Sequence, residues 1–261
     1  MKTGTDKLMW ALAIAAAGSV ASAPTAISAN DNLGVVLQSA YTSNYHFRGI
    51  TRSGDALQTS AEVSYANLTV GAWTSVGLGD DEGVFTDEID IYAFTGWNLG
   101  DAVSAEVGAT LYHFPQLGGF FDIGNETGDA STIEVYGGID FNVPFEPRVT
   151  GYYDVNLRTV TLEGGLSYPV AIGSRVSIVP SFDAGLVEDS DGDGVDYQYA
   201  EASGRLEFGI SGSAALFTSG HYAISTEDTF LDTDFSLSDA DKVLNPQQNA
   251  AWFKVGLSAT Y

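Results

Sequence analysis

Carboxylates recur on one parity through most of the chain. Glu62, Glu88, Asp90, Glu106, Glu134, Asp140, Asp154, Glu163, Asp183, Glu201 and Glu207 alternate with apolar neighbours, and Arg48, Arg205 and Lys254 are the basic residues read on that same parity. A wall lined this way concentrates cations and repels anions. With 10 Lys plus Arg against 34 Asp plus Glu, the net charge is -24. That balance excludes nucleic acid as a partner, because phosphate neutralisation needs a basic surface.

Two other constellations invite chemistry. Asp189, Asp191 and Asp193 stand at alternate positions of Asp189-Ser190-Asp191-Gly192-Asp193-Gly194-Val195-Asp196, with Gly194 where a calcium loop of the EF-hand type turns sharply. The bidentate ligand is displaced, since Ala200 holds its place and Glu201 comes one residue late. Weak calcium in an external loop is therefore the one cofactor expectation, beside the plainer reading of a solvated acidic loop. Hydrolysis would need a serine, a histidine and an orienting Asn or Asp together. His46, His113 and His221 lie in no hydrolase motif, so no enzyme is expected. The chain has no cysteine, which removes thiol chemistry and fits an envelope protein large enough to do without disulfides.

The elements that position these residues are strands. Hydrophobic residues make up 44% of the chain, with 30 Gly, 14 Phe and 13 Tyr, a mixture of strand formers and turn formers. The last residues alternate strictly, with Phe253, Val255, Leu257, Ala259 and Tyr261 on one face and Lys254, Gly256, Ser258 and Thr260 on the other. Period-two segments also run over Leu33 to Phe47, Leu57 to Tyr65, Leu68 to Val76, Ile89 to Trp97, Val103 to Leu111, Ile133 to Phe141, Val149 to Val155, Val160 to Tyr168, Val176 to Leu186, Tyr199 to Ile210 and Ala214 to Ile224. Connections alternate in length. Short links at Ala66-Asn67, Asn98 to Asp101, Asn142 to Pro147, Pro169 to Ser174 and Ser211 to Ser213 contrast with long acidic ones at Gly77 to Glu88, Phe114 to Ala130, Val187 to Asp196 and Ser225 to Asn249. Asp154 to Arg158 is the brief exception. The pattern predicts an all-β transmembrane antiparallel β-barrel of about twelve strands, with short periplasmic turns and long acidic external loops, closed by pairing the first strand with the last.

Lys2 and Lys7 precede an apolar run from Leu8 to Ala17, and small residues follow to Ala29. This is the layout of a signal peptide over residues 1–29, cut after Ala29 or alternatively after Ala23, with the barrel over residues 30–261. The run is too short to span a bilayer as a helix.

Ser43-Asn44-Tyr45-His46-Phe47-Arg48-Gly49-Ile50, followed by Gln58 and by Gly71-Ala72-Trp73-Thr74-Ser75, resembles the opening of the TorF-type porin family of proteobacteria. The match is specific over about the first third of the exported chain. Asn44 stands where the family pattern has an acidic residue, and the stretch from Thr51 to Ala56 is this chain's own. The resemblance implies a pore in the outer membrane of a Gram-negative bacterium and carries no catalytic residues. The expectation is passive diffusion of small solutes, biased toward cations or neutral species. The alternative is a structural or loop-binding, adhesin-like barrel with an occluded lumen. Expected partners are outer-membrane lipids and lipopolysaccharide, the barrel assembly machinery that reads the aromatic last residue, and the solutes themselves. Tyr92, Tyr112, Tyr136, Tyr152, Tyr199 and Trp252, or the loop from Phe114 to Ala130, are the expected obstructions, with Arg48, Arg205 and Lys254 clustered at a constriction.

Overall fold

The computed structural model describes residues 33–78, 87–123, 130–190, 194–231 and 246–261. The expected signal peptide lies outside them. In chain order the strands are β1 (Gly34–Thr42), β2 (Tyr45–Phe47), β3 (Ile50–Ser53), β4 (Ala56–Tyr65), β5 (Leu68–Gly77) and β6 (Glu88–Asn98). Then come β7 (Val103–His113), β8 (Ser131–Phe141), β9 (Arg148–Asp154), β10 (Thr159–Ser167), β11 (Val170–Ala171) and β12 (Val176–Asp189). The chain finishes with β13 (Tyr197–Gly209), β14 (Ala214–Ser225), β15 (Phe230–Leu231), β16 (Pro246–Gln247) and β17 (Asn249–Thr260).

Among the described residues, twelve of these strands form one closed antiparallel barrel. Each from β4 to β10 pairs with the next, β10 pairs with β12 and β12 with β13, β14 lies between β13 and β17, and β17 returns to β1, which pairs with β4. The seam runs from Val36 opposite Thr260 to Thr42 opposite Lys254, and Tyr261 and Val35 exchange backbone hydrogen bonds at its end. Residues directly opposite one another climb as they are followed around the wall. Val36, Glu62, Gly71, Tyr92, Thr110, Glu134 and Asp154 are neighbours in turn, leading from the start of β1 to the end of β9. The strands are therefore tilted, as closure requires.

Alternation sorts the side chains as the sequence predicts. Val63, Ile91, Val107, Val135, Val149, Leu162, Leu206 and Val255 point outward and are exposed, while their strand neighbours are buried or half-buried inside. A barrel in water would not expose such a belt; one in lipid needs it. Short turns join β4 to β5, β6 to β7, β8 to β9 and β13 to β14 at the end that holds both ends of the barrel, and the longer connections lie at the other.

One element departs from expectation. The first alternating segment does not run from Leu33 to Phe47, because β1 stops at Thr42. The Thr42 hydroxyl donates to the Asn44 carbonyl at 2.6 Å, turning the chain inward, and β2 and β3 form a separate hairpin instead of extending the wall. Arg48 and Gly49 make its tip with φ of 45° and 78°. Tyr45 and Phe47 keep their parity but are 2% and 5% exposed, since they pack inside the barrel and never meet lipid.

Val255, opposite Tyr41 and Thr218, stands near the middle of the outer belt. Val255→Arg is expected to cost about 2–4 kcal/mol, the penalty of a lipid-facing cation near the midplane. Denaturant titration of barrels folded into lipid bilayers measures it.

Candidate functional site

The site is the barrel interior, which divides into two halves. Toward the long connections the in-turned hairpin crosses the lumen. Tyr45, Phe47 and Ile50 from the hairpin cluster with Trp73 and Tyr92 on one side and Val187, Tyr197 and Tyr199 on the other. The connection after β14 adds to this filling: Thr51 donates its backbone N–H to the Thr229 carbonyl at 3.3 Å, and Leu231 donates its own to the Thr51 hydroxyl at 2.8 Å.

The tip of the hairpin is held by an ion pair. Arg48 grips the Glu134 carboxylate with two nitrogens, at 2.7 and 3.2 Å, and its guanidinium lies 3.6 Å from the centre of the Tyr152 ring. Tyr112 donates to Glu134 at 2.9 Å, and Tyr197 donates to the Arg48 carbonyl at 2.9 Å. Both charged side chains are more than nine-tenths buried. Gly49 completes the fit, since a Cβ there would come within 2.6 Å of Tyr199.

Nine of the acidic residues on this parity are buried or half-buried, in three kinds of setting. Some are neutralised by cations: Glu134 by Arg48, Asp183 by Arg148, Glu207 by Arg205 at 2.7 Å, and Glu88 lies 3.9 Å from Arg52. Some accept from neutral donors. Asp154 takes the Thr132 hydroxyl at 2.6 Å and the amides of Asn156 and Leu157, Glu62 takes Tyr92 at 2.7 Å, and Glu163 takes Tyr199. Glu106 and Asp140 stand half-buried on the wall nearer the short turns.

Two basic residues were missed by parity. Arg148 lies one residue before the segment read as a strand, and Arg52 sits in what reads as a loop. The expected clustering of Arg48, Arg205 and Lys254 is not seen. Arg48 belongs to the hairpin beside Tyr197, whereas Arg205 lies eight residues farther down β13, roughly 26 Å along the strand. There its guanidinium covers Phe217 at 3.6 Å, and Arg205 and Lys254 flank Ser219 on the neighbouring strands.

Three of the inward tyrosines lie flat along the wall. Gly71 stands directly opposite Tyr92 and Gly185 opposite Tyr199, and a Cβ on either glycine would run into the ring. Each ring lies across its glycine and reaches a glutamate one strand beyond, Glu62 opposite Gly71 and Glu163 opposite Gly185. Tyr136 lies over Gly108 in the same manner. The loop from Phe114 contributes Phe114 itself, buried beneath Arg52 with 5.1 Å between guanidinium and ring.

The three histidines serve separate hydrogen-bonded groups. His46 lies against Trp252 and Phe230 with Thr51 at 3.0 Å, and His113 meets Ser131 at 2.9 Å. His221 joins Ser219 at 2.7 Å to Glu201 at 2.8 Å. Serine, histidine and carboxylate in a row is a relay geometry that sequence spacing hid, because Glu201 comes from the neighbouring strand. Acyl transfer also needs donors for an oxyanion. The amides of β14 around Ser219 are committed to the ladders with β13 and β17. In the proposed calcium loop, Asp191 and Asp193 lie outside the described residues, and Asp189 accepts from the Gly194 amide.

A closed twelve-stranded barrel with an apolar outside and a charged inside has the fold of solved porins. It is similar to the NanC porin structure, with a TM-score of 0.53 and 9% identity over 86% of this chain and 98% of that one. It is likewise similar to the KdgM porin in complex with disordered oligogalacturonate, with a TM-score of 0.54 and 7% identity over 87% and 99%. At such identities the likeness is one of fold. No curated protein matches the chain. Residues 21–156 match the model of a bacterial protein family of unknown function, Gcw_chp, and the chain belongs to that family.

Arg48→Ala is expected to cost about 3–5 kcal/mol by leaving Glu134 buried without its cation. Arg48→Met combined with Glu134→Gln, which removes both charges and keeps the bulk, is expected to recover most of that loss. Denaturant titrations of the two variants against the parent read the difference.

Proposed function

We propose that this chain is an outer-membrane channel for passive diffusion of small solutes, biased toward cations and neutral species. The observation that carries the reading is the charge on the inner wall, where the carboxylates outnumber Arg48, Arg52, Arg148, Arg205 and Lys254 by about two to one. In a lumen walled by low-dielectric protein and lipid, an excess of fixed negative charge raises cation occupancy and excludes anions. The similarity of the Ser43 to Ile50 stretch to TorF-type porins supports the outer-membrane setting, as does the porin fold. The oligogalacturonate named with the KdgM structure is an acidic oligosaccharide, and an acidic wall argues against such a cargo here.

Selectivity is assigned to Glu106 and Asp140, which stand on the wall nearer the short turns, outside the hairpin cluster. Glu134 is unsuited to that role because Arg48 already neutralises it. A second reading, an occluded barrel that binds through its external loops, is favoured by one observation: the hairpin cluster of Tyr45, Phe47 and Ile50 spans the lumen from wall to wall.

The deciding measurement is single-channel conductance of the purified protein in a planar bilayer, with reversal potential in asymmetric potassium chloride. A cation-selective current is expected. Glu106→Gln with Asp140→Asn should move the reversal potential toward zero without reducing the folded yield, since both groups face water. Chloride preference, or silence of a correctly folded barrel, would transfer support to the binding reading.

A further inference from the structure

Buried polar atoms without a protein partner are rare singly, and among the described residues of this barrel five of the nine gather in one place. Among the described residues, the hydroxyls of Tyr45 and Ser75, the side-chain amide nitrogen of Gln58, Glu88 Oε1 and Asp90 Oδ1 complete no hydrogen bond. None of these five residues is more than 5% exposed. The ladder registers bring them together, with Gln58 opposite Ser75, Ser75 opposite Glu88, and Asp90 two positions along the same inner face of β6. Trp73 stands opposite Asp90, and the Tyr45 ring packs 5.3 Å from it, so the hairpin roofs the cluster.

The charges at this place do not balance. Arg52 lies 3.9 Å from Glu88 and is the basic residue beside the pair, so one guanidinium faces two carboxylates. The neighbouring buried acids are provided for elsewhere, Glu134 by Arg48 and Asp154 by Thr132 and two backbone amides. Water would satisfy the hydroxyls, but it would leave a net negative charge in a low-dielectric pocket, a costly state.

We infer that the pocket between the hairpin and β4 to β6 binds a small monovalent cation through oxygens of Glu88, Asp90, Ser75 and Tyr45. Gln58 supplies a further oxygen when its amide is turned, since the two orientations are isosteric. An all-oxygen set suits a hard ion. A single charge completes the balance that Arg52 begins, whereas a divalent ion would overshoot it. The ion ties Tyr45 of the hairpin to three strands of the wall. The inference goes beyond the channel reading and is tested without any current.

The test is the thermal unfolding of the full exported chain folded in detergent, titrated with sodium chloride. Ionic strength is held constant with the chloride of a bulky organic cation. Sodium is expected to raise the unfolding temperature by several degrees along a saturating curve. Asp90→Asn should flatten the curve, and Ser75→Ala should shift its midpoint to higher sodium. A flat parent curve, or the same curve in Asp90→Asn, would overturn the proposal in favour of a carboxyl that holds a proton. Saturation by calcium but not by sodium would overturn the charge assignment. Should Asp90→Asn fail to fold, crystals of the parent soaked in a thallium(I) salt decide the matter. Anomalous density among Glu88, Asp90 and Ser75 is expected, and its absence refutes the site.

Discussion

Lipid offers no hydrogen bonds, so every strand that crosses it must find partners on both sides, and a sheet with a free edge cannot remain there. The pairing of β1 with β17 answers that demand, and much else follows from it. Closure forces the tilt, the tilt fixes which residues share a level, and alternation then sends half of each strand's side chains inward whatever their chemistry. Polar groups that would be expensive on the outside are thus delivered to the lumen at no further cost in backbone strain. The concentration of acid within this chain is a consequence of that sorting.

An interior so furnished has to be neutralised piece by piece. The Arg48 to Glu134 clamp does this across the lumen instead of along the wall, and in doing so it fixes the hairpin that leaves the wall. The desolvation of both groups is offset by bidentate geometry, by Tyr112 on the carboxylate and by the face of Tyr152 against the guanidinium. The clamp makes the hairpin part of the barrel's core, with apolar side chains from opposite walls meeting on it.

Much of this was legible in the sequence because a strand with two different environments writes its period into the chain. The twelve wall strands could be read that way. The overrun of the first strand shows the limit. Tyr45 and Phe47 continue the alternation of β1, and period two is blind to a chain that turns a corner while remaining extended. The signals that mark the corner are local, in Ser43-Asn44 and in Arg48-Gly49. Arg52 and Arg148 were lost at segment ends, where boundaries are least certain. Which inward groups pair with which was beyond reading altogether, since Glu134 lies 86 residues from Arg48 and meets it only through the curvature of the wall.

The rings of Tyr92, Tyr136 and Tyr199 are laid like tiles along the wall, each over the bare backbone of an adjacent strand. They lie along the circumference, and the free faces of Tyr92 and Tyr199 receive the hairpin, so its seat at those levels is set by the absence of a methyl group on Gly71 and Gly185. Two of the tiles also cap an acid with the phenol at their far edge. A methyl group added at Gly71 would press the Tyr92 ring into the hairpin and uncover Glu62 in the same motion. The seating of the hairpin and the cover of the acids beneath it are therefore not independent variables; a single hinge of ring against backbone couples them.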